Sequence, residues 1–344
     1  MVRGCCLKNV GQLNMEKTLF SGRRILVTGG AGFIGSNLTD HLLAQGAEVT
    51  VLDNFSTGKR ENLADAAKYP GFRLLAGDIR ERAMCAEALR GADMVVHLAA
   101  LGSVPRSVKD PCTVTEVNVG GFVNMLFCAS QAGVKRFIYA SSSSVYGDSA
   151  ELPKREERTG KTLSPYALTK AVDELFAENF HRVYGIDTVG LRFFNVFGRR
   201  QDPDGAYAAV IPKFASALLK HQSPQINGDG SFSRDFTSVE NVLQIIGKAL
   251  LTENPAALNQ VYNVACGERV SLNELFAMLK EALSVFDPET AGILPVYGEP
   301  RAGDIPHSLA DIDKAVKLLD YHPEVSAAAG IRMAAQWYFE NMRE

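Results

Sequence analysis

The chain predicts an α/β fold, a doubly wound parallel sheet with a smaller α/β C-terminal part, and three observations carry that prediction. Short β-branched or aliphatic runs alternate with longer helical patterns through more than half of the sequence. Runs of four to six apolar residues between helices are the mark of βαβ units whose strands are buried on both faces. The loop "VTGGAGFIGSNL" joins the first such run to a helix. The rhythm then breaks at "GRRQDPDGAYAAVIPK", after which shorter strands mix with helices.

The elements follow in order. Residues 1–22 are a polar, weakly patterned lead-in, partly helical. "RILVTGG" is a strand followed by a helix through "NLTDHLLAQG"; then come the strands "EVTVLDN", "FRLLAGD" and "MVVHLAA". A helix through "VNVGGFVNMLFCASQAG" precedes the strand "RFIYASS", and a helix starting near Pro165 precedes "TVGLRFFNVFG". The tract "GRRQDPDGAYAAVIPK", rich in Gly, Pro and charge, predicts a loop. The last third offers the short strands "QINGDG", "VYNVA" and "ILPVYG" with helices at "LNELFAMLKEALS" and "DIDKAVKLLD". The expected division is a first domain of residues 1–196 and 236–266, and a second of 197–235 and 267–344.

At 344 residues the chain can bury a substantial core, and a net charge of −3 with a pI near 6.1 argues against nucleic acid and anionic membranes as partners. No stretch reads as approaching the roughly 18 apolar residues of a membrane span. The first twenty residues lack the apolar segment of a signal peptide, so the expected compartment is the cytoplasm. Six scattered cysteines show neither CxxC nor His/Cys ligand spacing, which predicts free thiols and no metal.

The glycine loop points to a dinucleotide. Gly29, Gly32 and Gly35 form a GxxGxxG spacing with a strand before and a helix after. Glycines permit the tight turn and let a pyrophosphate approach the backbone, and the helix N-terminus supplies free N–H groups. Asp53 ends the next strand, where a carboxylate accepts from the adenosine ribose and repels a 2′-phosphate; this favours NAD over NADP. Lys59 and Arg60 lie past that strand end. Asp78, after the third strand, either receives the adenine amine or caps a helix. "HLAAL" places small residues where ligands must pass close to backbone.

In "SPYALTK", Tyr166 and Lys170 are four apart and share one helical face. On spacing alone this is either a surface pair or a phenol whose proton is made easier to remove. The pair follows "YASSSSVYG", a strand running into Ser141 to Ser144, and precedes a strand that ends at Asn195. Strand C-termini are where α/β sheets hold their ligands.

With "TGGAGFIGSNL", "LDNFSTGKREN", "SSSSVYG", "SPYALTK", "RFFNVFGRRQDPDGAYAAVIPK", "INGDGSFSRDFTSVEN" and "RAGDIPHSLAD", the chain resembles the extended short-chain dehydrogenase/reductases over essentially its whole length. Within them it looks like the nucleotide-sugar 4-epimerases, on a Rossmann sheet with a smaller substrate-binding domain. The resemblance implies Ser142, Tyr166 and Lys170 as the catalytic group. It implies NAD held by Gly29, Gly32, Phe33, Ile34, Gly35, Asp53, Asn54, Ser56, Gly58, Asp78, Ile79 and Ala99, together with Tyr166 and Lys170. A free phenol titrates near 10, and an ammonium beside it favours the phenolate. Tyr166 would then take the proton of a sugar C4 hydroxyl while Ser142 holds the oxygen. Transient C4 oxidation, rotation of the 4-keto sugar and return of the hydride complete an epimerisation.

The related dehydratases carry an acidic pair next to the catalytic serine, whereas Ser143 and Ser144 stand here. The resemblance extends to a UDP-sugar site: Ser103, Arg106, Ser142, Ser143 and Ser144 on one side, Asn195 at the diphosphate, and Ala209, Val210 and Lys213 at the UDP moiety. Asn227 joins them, with Arg234 and Arg301 bracketing the phosphates and Asp304 on the uridine ribose. Ser308, where the family often has tyrosine, leaves room for a 2-acetamido group. The implied reaction interconverts UDP-GlcNAc and UDP-GalNAc, with UDP-Glc and UDP-Gal as further substrates. Arg106 keeps UDP-glucuronate 4-epimerisation or decarboxylation open, and a non-catalytic NAD sensor is a third reading. Apolar residues on two helices, among them Phe122, Met125, Leu126, Leu175, Phe176 and Phe180, suggest with the resemblance a homodimer.

Overall fold

A computed structural model describes residues 18–203, 209–299 and 306–343. Its centre is a seven-stranded, all-parallel sheet: β1 (Arg24–Thr28), β2 (Glu48–Asp53), β3 (Phe72–Ala76), β4 (Met94–His97), β5 (Arg136–Ser142), β6 (Thr188–Phe193) and an edge strand, Gln260–Val264. The order runs from the edge strand through β6, β5, β4 and β1 to β2 and β3. The strand order therefore reverses at β1, and a crevice opens there beyond the strand ends.

Both faces of the sheet are covered, which is why its strands read as unbroken apolar runs. On one face Leu38, Leu42, Val242 and Ile246 pack over Val27, Val49 and Ile138; on the other Phe122, Met125 and Phe180 pack over Leu26, Val95 and Phe137. A separate core joins Phe214, Leu218, Leu275, Leu279, Ile331 and Tyr338, from the helices Val210–Leu219, Leu272–Ser284 and Ala327–Asn341.

Four findings differ from the sequence reading. The tract expected to be a loop contains the start of the helix Val210–Leu219. "TVGLRFFNVFG" is two strands, β6 and Val196–Phe197, separated by a turn in which Asn195 has φ +37°. Phe20, in the supposed lead-in, is buried in the main core. The helical run Pro111–Gln131 is 21 residues long with a mean hydropathy of 1.2 and meets the length and composition of a membrane span. Its apolar residues Phe122, Met125, Leu126 and Ala129 are spent on the sheet. Among the described cysteines, Cys85, Cys112, Cys128 and Cys266 are free thiols, as expected.

Asp235 ties the sheet to the segment that returns from the second core. Its buried carboxylate accepts the backbone N–H groups of Cys266 (2.9 Å), Gly267 (3.0 Å) and Ala310 (3.4 Å). An amide in its place would point N–H groups at N–H groups. Leaving a buried donor unsatisfied costs about 1–3 kcal/mol. Asp235→Asn is therefore expected to lower the free energy of unfolding by about that amount in a urea titration, and an unchanged midpoint would remove Asp235 as a tie.

Candidate active site

The crevice at the C-terminal ends of β1, β2, β4, β5 and β6 has a volume of about 420 Å³. Its floor is the glycine loop. Gly29 has φ +69°, and a Cβ there would stand 2.7 Å from the backbone nitrogen of Ala99. A Cβ on Gly35 would collide with the carbonyl of Gly29. Gly32 caps the helix Phe33–Ala44 without any side-chain hydrogen bond, so the N–H groups of the first turn remain open for an anion.

Asp53 lies at the end of β2 and is 8% exposed. Its carboxylate accepts the N–H groups of Ala31 (2.9 Å) and Phe55 (2.8 Å), which fixes it against the loop while it still lines the crevice. Asn54, Ser56, Asp78, Ile79 and Ala99 line the same wall. Asp78 accepts from Asn54 (2.8 Å), twice from the Arg80 guanidinium (3.1 and 2.8 Å) and from the Arg80 backbone N–H (2.9 Å), and the Arg80 hydrogen bonds bring it down to about 2. Gly58 stands behind the wall: a Cβ there would meet Ala31, and Lys59 N–H donates to the Ala31 carbonyl at 3.0 Å.

The opposite wall carries Ser142, Tyr166 and Lys170. The helix Pro165–Tyr184 begins at Ser164, whose hydroxyl accepts from Ala167 N–H at 3.1 Å, with proline in the first position where its missing N–H costs nothing. Tyr166 thus sits in the first turn and Lys170 one turn on. Lys170 is 3% exposed, and its ammonium donates to Asp173 at 3.2 Å. Burial pushes Asp173 up to about 7, against the opposing pull of Lys170. Burial likewise drives His97, at the end of β4, down to about 3, with the Lys170 charge adding to the effect, so its imidazole is neutral. Ser142 Oγ accepts from the backbone N–H of Ser144 (3.2 Å) and the Ser144 hydroxyl (3.0 Å). Ser143 and Ser144 are outside the crevice lining, and the Ser144 hydroxyl braces Ser142.

Of the residues expected at the sugar nucleotide, Asn195 lines the crevice and donates to the Asp235 carbonyl at 2.9 Å. Ser103 caps the helix Val104–Lys109 by accepting from Arg106 N–H at 3.2 Å, just past Gly102 at the crevice edge. Asn227, Arg234 and Ser308 stand on the second part, outside the crevice lining. Arg234 donates to the carbonyls of Ser233 (3.0 Å) and Pro306 (3.1 Å). Ser308 N–H donates to the Ser233 carbonyl at 3.1 Å. Ala209 caps the helix Val210–Leu219 without a side-chain bond, and that helix carries Val210 and an exposed Lys213. Arg301 and Asp304 lie outside the described residues.

The sequence reading missed several lining residues: Leu98, Val117, Phe193 and Gln201 among them, and Ser141, which lines the crevice and donates to Glu174. Ser141 carried a signal, being one of four consecutive hydroxyls; Gln201 carried none.

Residues 25–265 match the NAD dependent epimerase/dehydratase family. The chain is 36% identical over 320 residues to a putative UDP-glucose 4-epimerase of Methanocaldococcus jannaschii, covering 93% of this chain and 99% of that one. It is 31% identical over 340 residues to UDP-glucuronate 4-epimerase 4 of Arabidopsis thaliana, covering 92% and 76%. Among solved structures, a UDP-N-acetylglucosamine 4-epimerase of Methanobrevibacter ruminantium, in complex with UDP-N-acetylmuramic acid, superposes with a TM-score of 0.87 at 37% identity over 93% of this chain and 99% of that one. The UDP-glucose 4-epimerase of Thermus thermophilus, in complex with NAD, gives 0.80 at 35% identity over 92% and 98%. The chain belongs to the NAD-dependent epimerase/dehydratase family.

NAD is therefore its cofactor, and the crevice fits it. The side-chain-free loop and uncapped helix start suit a pyrophosphate, and the carboxylate at the end of β2 suits ribose hydroxyls. Placing a methyl group between the two halves of the loop must push the cradle open, and overpacking of this kind costs about 1–3 kcal/mol. Gly35→Ala is expected to lower the unfolding temperature and to strip bound NAD from the purified protein. Full NAD occupancy, read from the absorbance of the perchloric-acid extract, would show that the loop does not hold the pyrophosphate.

Proposed function

We propose that the protein is an NAD-dependent 4-epimerase of UDP-N-acetylhexosamines, interconverting UDP-GlcNAc and UDP-GalNAc. The observation that carries the reading is the meeting of Ser142, Tyr166 and Lys170 on one wall of the crevice whose floor is the glycine cradle. Bound NAD supplies the two-electron acceptor and donor for C4. Tyr166 takes the C4 hydroxyl proton as general base and returns it as general acid. Lys170 places a positive charge on the same helical face, which favours the phenolate. Ser142, oriented by Ser144, holds the reacting oxygen.

The nucleotide falls to the second part of the chain, residues 197–235 and 267–344, by this reading. Asn195 and Arg234 serve the diphosphate, with Asn227, Ala209, Val210 and Lys213 toward the uridine. The acetamido preference rests on Ser308. Between the two half-reactions the 4-keto sugar must turn over, so the wall has to clear the C2 substituent twice. A serine side chain gives that clearance, and the solved relative with UDP-N-acetylmuramic acid likewise bears a C2 acetamido group. UDP-glucuronate is the second reading, favoured by Arg106, whose helix is capped by Ser103 at the crevice edge. UDP-Glc and UDP-Gal are expected as poorer substrates.

The proposed assembly is a homodimer, and of the residues first expected for it Leu175 alone is exposed. Phe122, Met125, Leu126 and Phe180 are core, and Phe176 packs against it. With Leu175 the same helix exposes Leu168 and Val183, and the helix Val104–Lys109, which packs against it, exposes Val104 and Val108.

Supplied side by side, UDP-GlcNAc is expected to turn over with a higher kcat/KM than UDP-Glc or UDP-glucuronate; a preference for UDP-glucuronate would select the second reading. Tyr166→Phe should keep NAD and UDP-sugar binding and lose turnover by orders of magnitude. More than about a tenth of the wild-type rate would remove Tyr166 as the base, since general acid–base groups contribute about 10²–10⁴-fold.

Ser308→Tyr fills the clearance. At an overpacking cost of about 1–3 kcal/mol, UDP-GlcNAc epimerisation should fall roughly 10- to 100-fold while activity on UDP-Glc is kept. Equal losses on both sugars would show that Ser308 does not gate the C2 group.

A further inference from the structure

Asp173 stands outside the catalytic group, yet it is bound to it. It lies three positions from Lys170 on the helix Pro165–Tyr184 and is 0% exposed. Its Oδ2 accepts the Lys170 ammonium at 3.2 Å, while Oδ1 is buried without any hydrogen-bond partner. A buried carboxylate with one oxygen unsatisfied is unfavourable, and a buried ion pair adds little net stability over an apolar pair of the same volume, although losing Asp173 alone would strand the Lys170 ammonium. Net stability therefore does not explain why Asp173 is there. Its contact with Lys170 does.

The surroundings leave Asp173 facing one cation. On its own helix stand Lys170, Glu174 and Glu178; on β5 stands Tyr139, whose phenol burial pushes well up. Arg192 on β6 is held by both oxygens of Glu174, at 2.9 and 2.8 Å. His97 on β4 is neutral, and its Nδ1 is engaged by the Thr28 hydroxyl at 2.9 Å. An ammonium has three donors. One is committed to Asp173, which leaves two for the crevice that Lys170 lines.

We infer that Asp173 is a positioning residue for Lys170: its carboxylate anchors the ammonium from behind and shares its charge, setting how strongly Tyr166 feels it. The inference rests on the role of Tyr166 and Lys170 proposed above. Removing the negative charge while keeping an acceptor gives the phenol more of the lysine's field. Removing both leaves the ammonium unanchored.

The experiment compares Asp173→Asn, which keeps an oxygen in place, with Asp173→Leu, which keeps neither oxygen nor charge. Tyr166 ionisation is followed by phenolate absorbance in the NAD-loaded protein without sugar, each variant being subtracted against the same protein carrying Tyr166→Phe. The Asn variant is expected to form its phenolate at lower pH than wild type, by about half a unit or more. The Leu variant is expected to lose about tenfold or more in kcat with little change in KM. A phenolate titration of Asp173→Asn that superposes on wild type, or moves to higher pH, overturns the charge-sharing role. A Leu variant with wild-type kcat overturns the anchoring role; should it not fold, the Asn titration decides. The titration uses no sugar, so it stands or falls separately from the substrate. Loss of the epimerase reading itself would appear instead as no epimerisation of any of the UDP-sugars by the wild-type protein.

Discussion

The site depends on the ion pair between Glu174 and Arg192. Glu174 is on the catalytic helix, four residues past Lys170, and Arg192 is on β6. The two are joined by paired hydrogen bonds of 2.9 and 2.8 Å, a fork geometry that fixes orientation as well as distance. Glu174 also accepts from Ser141, the residue before Ser142. One carboxylate therefore locks the helix bearing Tyr166 and Lys170 to the strand bearing Ser142. Arg192 goes on to donate to the Glu156 carbonyl at 3.0 Å, and its guanidinium lies 4.9 Å over the Tyr146 ring. Tyr146 donates to Asn263 on the edge strand at 2.6 Å, and Asn263 donates to the carbonyls of Lys154 and Asp311, each at 2.9 Å. Buried pairs contribute little net stability, but losing one partner strands a charge, at about 3–5 kcal/mol. What the pair provides here is relative position.

The sheet and the cofactor half of the crevice were legible because both are written in local pattern. Strands buried on two faces must be apolar throughout, and β5 runs over the same seven residues as the expected "RFIYASS". The glycines act through the backbone and Asp53 through a carboxylate at a strand end, at positions that sequence spacing marks. The Tyr166–Lys170 relation is a helical period.

The half proposed to bind the substrate was harder for a physical reason. The helix Val210–Leu219 follows a tract of Gly, Pro and charge and has Pro212 in its first turn, which suggested a loop. Yet a first-turn proline is tolerated, and Ile211, Phe214, Ala215 and Leu218 are its buried face. The segment at Ser308 is held by backbone bridges from Ser233 and by Arg234 donating to Pro306. Such bridges leave no period to read. The catalytic helix likewise hides which of its apolar residues are core. Phe180 is covered by the sheet side of the fold and Leu175 is not, a difference that tertiary packing decides.

These two halves differ in how they handle charge as well. On the cofactor wall, charge is pinned by short contacts: Asp53, itself buried, by two backbone N–H groups, and Asp78 by exposed contacts from Asn54 and Arg80. Beside the reacting atoms charge is buried, and burial makes it consequential, since screening by water is weak there. His97 is kept neutral, Tyr139 is kept protonated, and Arg192 is matched by Glu174. That leaves Lys170, on the proposed reading, as the cation for the phenol, with Asp173 bound to it and one of that carboxylate's oxygens unfilled. On the role proposed for Tyr166, a proton transferred there would answer chiefly to the Lys170–Asp173 pair, which lies on the same helix as Glu174 of the Glu174–Arg192 fork.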